Sequence, residues 1–391
     1  MPDDQPASTS RAVLVNLTTH KVGGALQAAT SLVLHALDDP DTQRWVFAIS
    51  SAVDDELTKF DVATDRAPFH VFKESPARHL SAQRQLRTLE RQIRADLVFT
   101  LFGPAYVRFQ APHLCGIADP WLTHSNRLAF GTLGNHGAQL KKVASIAWKA
   151  AWFRQADHWW TETEMSKRGL VRRLRFKPDL ISVIPNTVGP HFIGATPVQR
   201  HSPAERLSVL CLSAYYPHKN LQILPNIALE MQRFAPALDF EIVTTIPHSH
   251  PTLPAFFEQA RRLGVSHRLR NIGLVSVAEV PELYANSHVS FLPSVLETFS
   301  AVYAESLTAG VPLVITDTAF AREICGDAAT YFRPLDARDG ARAILELVNS
   351  PALVDQLTLR GKDVAMGLPS SQERWDMQRS LMIKMCDQQT P

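Results

Sequence analysis

Short apolar runs, each closed by a loop and followed by a segment of helical periodicity, occur in two separate series along this chain. That alternation restricts it to α/β architectures built on parallel sheets. The first series opens with an apolar strand from Ala12 to Leu17, a polar loop holding Gly23 and Gly24, and an apolar-periodic helix from Ala25 to Leu37. Strand-like runs follow at Trp45 to Ile49, Leu97 to Leu101 and His113 to Ile117, with a helical stretch from Leu80 to Arg94 among them. The second series places strands at Leu207 to Leu212, Phe240 to Thr244, Asn271 to Leu274, Val289 to Leu292 and Pro312 to Ile315. Between the two, Pro190, Gly194, Pro197 and Pro203 punctuate a stretch without apolar period, which reads as a linker with its boundary near residue 195. The expected organisation is one domain over 1–194, a second over 195–370, and a closing segment over 371–391. In that last segment Trp375, Met377, Leu381 and Met385 fall at helical spacing and are expected to dock on the first domain.

The 391 residues suit two domains of roughly 150 to 200 residues better than one core, and an apolar share of 45% can fill them. Forty Lys and Arg against 38 Asp and Glu leave a formal charge of +2, which removes the whole-protein electrostatic case for a nucleic-acid partner. Four cysteines, Cys115, Cys211, Cys325 and Cys386, form no CxxC motif and fit a reducing compartment. The first ten residues are polar and acidic, unlike a secretory leader, and no run of about 18 apolar residues occurs. A soluble protein, or one only peripheral to a membrane, is expected.

The most informative segment is PSVLETFSAVYAESLTAGVP, from Pro293 to Pro312. Glu297 follows a strand, Thr298 or Ser300 can cap a helix, and Gly310 with Pro312 supplies a stop. Glu305 comes eight positions after Glu297, about 12 Å along a helix. Two carboxylates so far apart cannot share one proton or one small ion. They can hold the two ends of an extended ligand whose anionic middle lies at the helix N-terminus, as a nucleotide-diphosphate sugar would. Spacing alone leaves open that both are ordinary residues of an amphipathic helix.

This segment resembles the E-x7-E signature of family 4 glycosyltransferases, retaining enzymes of GT-B fold. IPNTVGPHF from Ile184, LSAYYPHKNL from Leu212 and NIGLVSVAEVPELYANSHVSFLPS from Asn271 are similar to further motifs of that family, in the same order. The resemblance implies two Rossmann-like domains with parallel sheets facing a central cleft. It implies that Glu297 binds hydroxyls of the donor sugar, that Glu305 holds the ribose diol, and that Lys219 neutralises the leaving diphosphate. Thr298, Phe299 and Ser300 would lie along the sugar and phosphates, and the main chain near Val275 would read the base. Gly23 and Gly24 match the loop that approaches the donor phosphate, and Asn186, in the interdomain segment, is a further donor-binding residue that the resemblance implies.

Two positions depart from the pattern. Ala214 stands where an Arg is common, five residues before Lys219, and Ala118 replaces the histidine of a His-Asp pair whose Asp119 is retained. Asp119 is carried over as a catalytic residue, with His124, His113 or His20 as candidates to replace the missing histidine.

The implied reaction is a metal-independent transfer of a hexosyl or deoxyhexosyl group, with retention, to a glycan or lipid-linked glycan acceptor in bacterial-type polysaccharide or O-antigen assembly. It needs no cofactor beyond the donor and is placed in the cytoplasm or on the inner face of the membrane. A silent homologue that binds nucleotide or scaffolds a glycan-assembly complex is the alternative, and a GT-B-like epimerase a third. The Asp38-Asp39-Pro40-Asp41 run reads as turn chemistry rather than a metal motif. Arg84, Arg87, Arg91 and Arg94 fall on one helical face, and a second basic cluster runs from Lys167 to Lys177. Solvated faces explain them, and contact with anionic membrane is the functional option. Trp148, Trp152 and Phe153 read as a packed helix, Trp159 and Trp160 as core.

Overall fold

The computed structural model describes residues 11–189, 192 and 206–388. The expected boundary near residue 195 lies outside them. The described residues divide into two compact units, one drawn from 1–122, 143–185 and 371–391, the other from 123–142 and 186–370.

The first unit holds strands β1 (Val13–Leu17), β2 (Trp45–Ser50), β3 (Phe69–Phe72), β4 (Leu97–Thr100), β5 (His113–Gly116), β6 (His158–Thr161) and β7 (Ile181–Val183). They form a seven-stranded parallel sheet in the order β3-β2-β1-β4-β5-β6-β7. Strands such as VLVNL and LVFT are buried at every position because helices cover both faces of a parallel sheet, which is why they read as unbroken apolar runs. The helix Gly23–Leu37 follows β1 and buries Ala29, Leu32, Val33 and Ala36. The helix Ser371–Asp387 packs in the same core: Trp375 meets Trp45 edge-on at 5.2 Å between ring centroids, and Met382 and Met385 are buried with it. Asp39 and Asp41 of the DPD run pair with Arg379 of that helix, so these carboxylates anchor the end of the chain.

The second unit holds β8 (Leu207–Cys211), β9 (Phe240–Thr244), β10 (Leu269–Asn271), β11 (Val289–Leu292), β12 (Leu313–Thr316) and β13 (Thr330–Phe332). Their order, β10-β9-β8-β11-β12-β13, is again all parallel. The strand expected at Asn271 to Leu274 lies earlier, at Leu269–Asn271. It ends there because the Asn271 side chain turns back to bond Thr244 and both main-chain groups of Ile246. All four cysteines are free and buried. The Trp159 ring stacks on Phe176 at 3.9 Å and Trp160 is fully buried, but Trp148 is half exposed against Tyr106, unlike the packed position expected for it.

Candidate functional site

In each sheet the strand order reverses beside the first strand of the unit, between β1 and β4 and between β8 and β11. Open α/β sheets bind ligands at such switch points, outside the carboxyl ends of the strands, where neighbouring loops diverge and leave room. The loop after β8 carries Lys219, and the loop after β11 carries Glu297.

These two loops meet. Lys219 Nζ lies 2.5 Å from Glu297 Oε1, with only 17% and 8% of the two side chains exposed. Val295 N–H donates to the His218 carbonyl at 2.9 Å, so main-chain contact also joins the loops. Asn220 adopts the left-handed conformation at φ 58°, ending the short turn Pro217–Lys219.

Glu297 precedes the helix rather than starting it. The helix spans Ala301–Ala309, with Ser300 at its N-cap position, and residues 294–300 are buried chain outside regular structure. The helical rise therefore does not apply between Glu297 and Glu305, and the 12 Å separation expected on that basis has no support. Neither the Ser300 side chain nor an acidic first-turn residue caps the helix; the Tyr303 N–H donates to the Ser300 carbonyl at 3.0 Å, and the dipole at this end favours an anion. Thr298, Phe299 and Ser300 are all buried in the approach to that end. Gly310 closes the helix in the left-handed region at φ 71°.

Glu305 lies inside the helix with 7% exposure. Burial pushes its carboxyl up to about 7 from the usual carboxylate range, although the Tyr284 hydroxyl, donating to Oε2 at 3.1 Å, pulls the other way. A carboxyl there exchanges its proton near neutrality, and its ionised form can accept from two vicinal hydroxyls. Val275 is half-buried in the loop after β10. In that loop Gly273 has φ 79°, and a Cβ on it would lie 2.6 Å from His248 Nε2, a close approach the sequence did not single out. Asn186 is also in this unit, with Oδ1 accepting from Thr187 N–H at 3.0 Å.

The remaining candidates belong to the first unit. Gly23 has φ 63°, so glycine suits its backbone, and a Cβ on Gly23 or Gly24 would meet nothing within 4 Å. The helix they open has no side-chain cap and no acidic residue in its first turn, a second place where free N–H groups favour an anion. Asp119 accepts from Trp121 N–H at 3.0 Å and pairs with Lys149 at 2.7 Å.

Of the three histidines considered, His20 and His113 are buried and burial holds them neutral, at about 4 and about 3. His124 alone touches this site: its Nε2 lies 2.5 Å from the Glu297 carbonyl oxygen. Asn126 Nδ2 reaches the Val295 carbonyl at 3.0 Å. Neither contact could be read from sequence, since His124 and Glu297 are 173 positions apart.

Residues 206–350 match the family described as glycosyl transferases group 1. This group 1 segment contains Lys219, Val275, Glu297 and Glu305. Over 151 residues, 39% of this chain, the sequence is 26% identical to a human protein, one of the subunits of phosphatidylinositol N-acetylglucosaminyltransferase, and the alignment spans 30% of that protein's length. A glycosyltransferase from Rickettsia africae superposes with a TM-score of 0.71 at 15% identity, covering 96% of this chain and 98% of the other. The Anabaena protein HepE in complex with UDP and glucose gives 0.69 at 15% identity, covering 96% and 100%. The fold is therefore GT-B, with a Rossmann-like parallel sheet in each unit.

Proposed function

We propose that this chain is a retaining, metal-independent glycosyltransferase of family 4. It would move a hexosyl or deoxyhexosyl group from a nucleotide-diphosphate sugar to a glycan or lipid-linked glycan, in polysaccharide or O-antigen assembly of bacterial type. The observation that carries this reading is the Lys219–Glu297 pair at the switch point of the second sheet, beside an uncapped helix end. Lys219 supplies positive charge for a diphosphate, the helix N–H groups supply donors, Glu297 accepts from sugar hydroxyls, and Glu305 accepts from a ribose diol. The match to group 1 glycosyltransferases over this segment and the UDP and glucose bound by the Anabaena neighbour support the same ligand class.

In the reaction the bond from anomeric carbon to phosphate oxygen breaks, and the acceptor oxygen bonds that carbon on the same face. The acceptor proton passes to the departing phosphate, so no protein nucleophile is required. Lys219 and the helix end stabilise charge that develops on the leaving group. In the first unit, Gly23 and Gly24 are read as donor-binding residues and Asp119 as a catalytic one, on the family resemblance. Ala214 and Ala118 favour a second reading, a silent nucleotide binder.

Peripheral contact with anionic membrane fits the helix His136–Phe153, whose Leu140, Val143 and Trp148 are exposed beside Lys141 and Lys142. No helix among the described residues is long and apolar enough to cross a membrane.

The deciding experiment incubates purified protein with UDP-glucose, UDP-N-acetylglucosamine and GDP-mannose, with and without EDTA, and follows nucleoside diphosphate release. Release from one donor, unaffected by EDTA, is expected. Thermal stabilisation by a nucleoside diphosphate with no turnover of any donor would favour the silent binder.

A further inference from the structure

Every residue from Pro293 to Ser300 is buried, yet the segment lies outside helix and strand. A buried loop has main-chain groups that neither water nor a sheet ladder satisfies, so its shape is set by whatever side chains reach them. Two such side chains come from residues 124 and 126. His124 Nε2 meets the Glu297 carbonyl oxygen at 2.5 Å, and Asn126 Nδ2 meets the Val295 carbonyl oxygen at 3.0 Å.

Hydrogen-bond roles follow from the partners. A carbonyl only accepts, so His124 Nε2 carries a proton and donates to it, while Nδ1 pairs with the Thr123 hydroxyl at 2.7 Å. The ring is 5% exposed, with its centroid 6.0 Å from that of Phe320. With both nitrogens engaged, His124 has no free valence for a donor sugar. Asn126 is fixed in the same manner. Its Oδ1 accepts from Ala129 N–H at 2.8 Å as the N-cap of the helix Arg127–Gly131, which leaves Nδ2 to face Val295.

We propose that His124 and Asn126 are positioning residues that clamp the Val295–Glu297 main chain and thereby aim the Glu297 carboxylate at the donor. The inference rests on the reading of Glu297 as a ligand of the donor sugar. A carboxylate on an unsupported loop would sample many directions, and an error of about 1 Å in a reacting group costs on the order of a hundredfold in rate. Lys219 fixes the carboxylate end of Glu297, and His124 fixes its main chain.

The test compares wild type with His124→Ala, His124→Gln, Asn126→Ala and Asn126→Asp. Asn126→Asp keeps the capping oxygen and turns the donor into a carboxylate oxygen facing the Val295 carbonyl, so it breaks this contact while guarding against a variant that fails to fold. Hydrogen–deuterium exchange across residues 294–300 reads the clamp without any ligand. Steady-state kinetics with whichever of UDP-glucose, UDP-N-acetylglucosamine and GDP-mannose the wild type turns over reads its consequence. His124→Ala and both Asn126 variants are expected to speed exchange of this segment about tenfold or more and to lower kcat by roughly 10- to 100-fold, with donor KM within about threefold. His124→Gln, which keeps an N–H donor, should recover much of both. In a Glu297→Gln background, His124→Ala should add little further loss of kcat. Unchanged exchange in His124→Ala and Asn126→Asp overturns the clamp. Faster exchange with unchanged kcat in an active enzyme overturns the positioning role. A wild type that turns over no donor overturns the glycosyltransferase reading instead, while exchange still decides the clamp.

Discussion

The Tyr284 hydroxyl donates to Glu305 Oε2 at 3.1 Å, and both side chains are buried. Tyr284 comes from the helix Val280–Ala285 and Glu305 from the helix behind the Glu297 loop. Burial and the neighbouring Glu305 charge hold the Tyr284 phenol well above its ordinary range, so it stays a donor throughout the working pH range. Glu305 changes charge instead.

The Glu305 carboxyl, raised by burial from 4.5 to about 7, binds its proton more tightly in the folded chain than in the unfolded one. The associated stability is fully present below about pH 4.5 and is lost as pH rises through 7, a swing of about 3 kcal/mol. Melting temperature should therefore fall between pH 5 and 8 in the wild type, with this component absent in Glu305→Gln. If the ionised group accepts the ribose hydroxyls, nucleoside diphosphate binding at pH 6.5 should release protons. Calorimetry in buffers of different ionisation enthalpy would detect them, and no release would remove Glu305 from the ribose.

Lys219→Ala leaves the Glu297 carboxylate buried without its cation, a loss of about 3 kcal/mol in stability. Lys219→Met combined with Glu297→Gln removes both charges and should recover most of that loss. Sugar transfer should fall by about 10²- to 10³-fold in Lys219→Ala and stay low in the double variant. Parallel measurement of melting temperature and turnover separates the two roles. Turnover that recovers along with stability would mean the pair is only structural.

Strands buried on both faces were legible as continuous apolar runs, and FEIVT and VSFL keep their expected bounds. The short outer strands β3, β7 and β13 escaped because FHVF, ISV and TYF span three or four residues of mixed exposure. Lys219 and Glu297 were legible as residue types in motifs. Their contact was not, because 78 positions separate them and only the strand order brings the two loops together. Helical spacing misled at Glu297, since the helix begins four residues later, at Ala301. His124 and Asn126 left no local signal, because each acts on a main-chain carbonyl that any residue type would supply.

Gly273 tests the loop that holds Val275. At φ 79° an alanine would cost about 1–2 kcal/mol from its backbone alone, and its Cβ would also press on His248. Gly273→Ala should lower the melting temperature of the second unit and weaken nucleoside diphosphate binding, read by thermal shift and titration calorimetry. Adding His248→Ala should relieve the steric part and leave the backbone part. Equal affinity in Gly273→Ala and wild type would place the base elsewhere.

Arg379 tests how the end of the chain is held. Its guanidinium bonds Asp39 and, at 3.0 Å, Asp41, and the Asp39 side chain is 2% exposed. Arg379→Met removes the cation while keeping much of the apolar stem, so Asp39 is left buried and charged, with a loss of about 3 kcal/mol. Asp39→Asn in the same chain removes the stranded charge and should recover a large part of the loss. Trp375→Ala acts on packing instead: it opens a cavity against Trp45, costs about 3–5 kcal/mol, and should gain nothing from Asp39→Asn. Chemical denaturation followed by tryptophan fluorescence would report these changes, since Trp45 and Trp375 lie in the affected core. Rescue of Arg379→Met but not of Trp375→Ala is the expected result. Unchanged stability in Arg379→Met would show that apolar packing alone fastens the helix Ser371–Asp387.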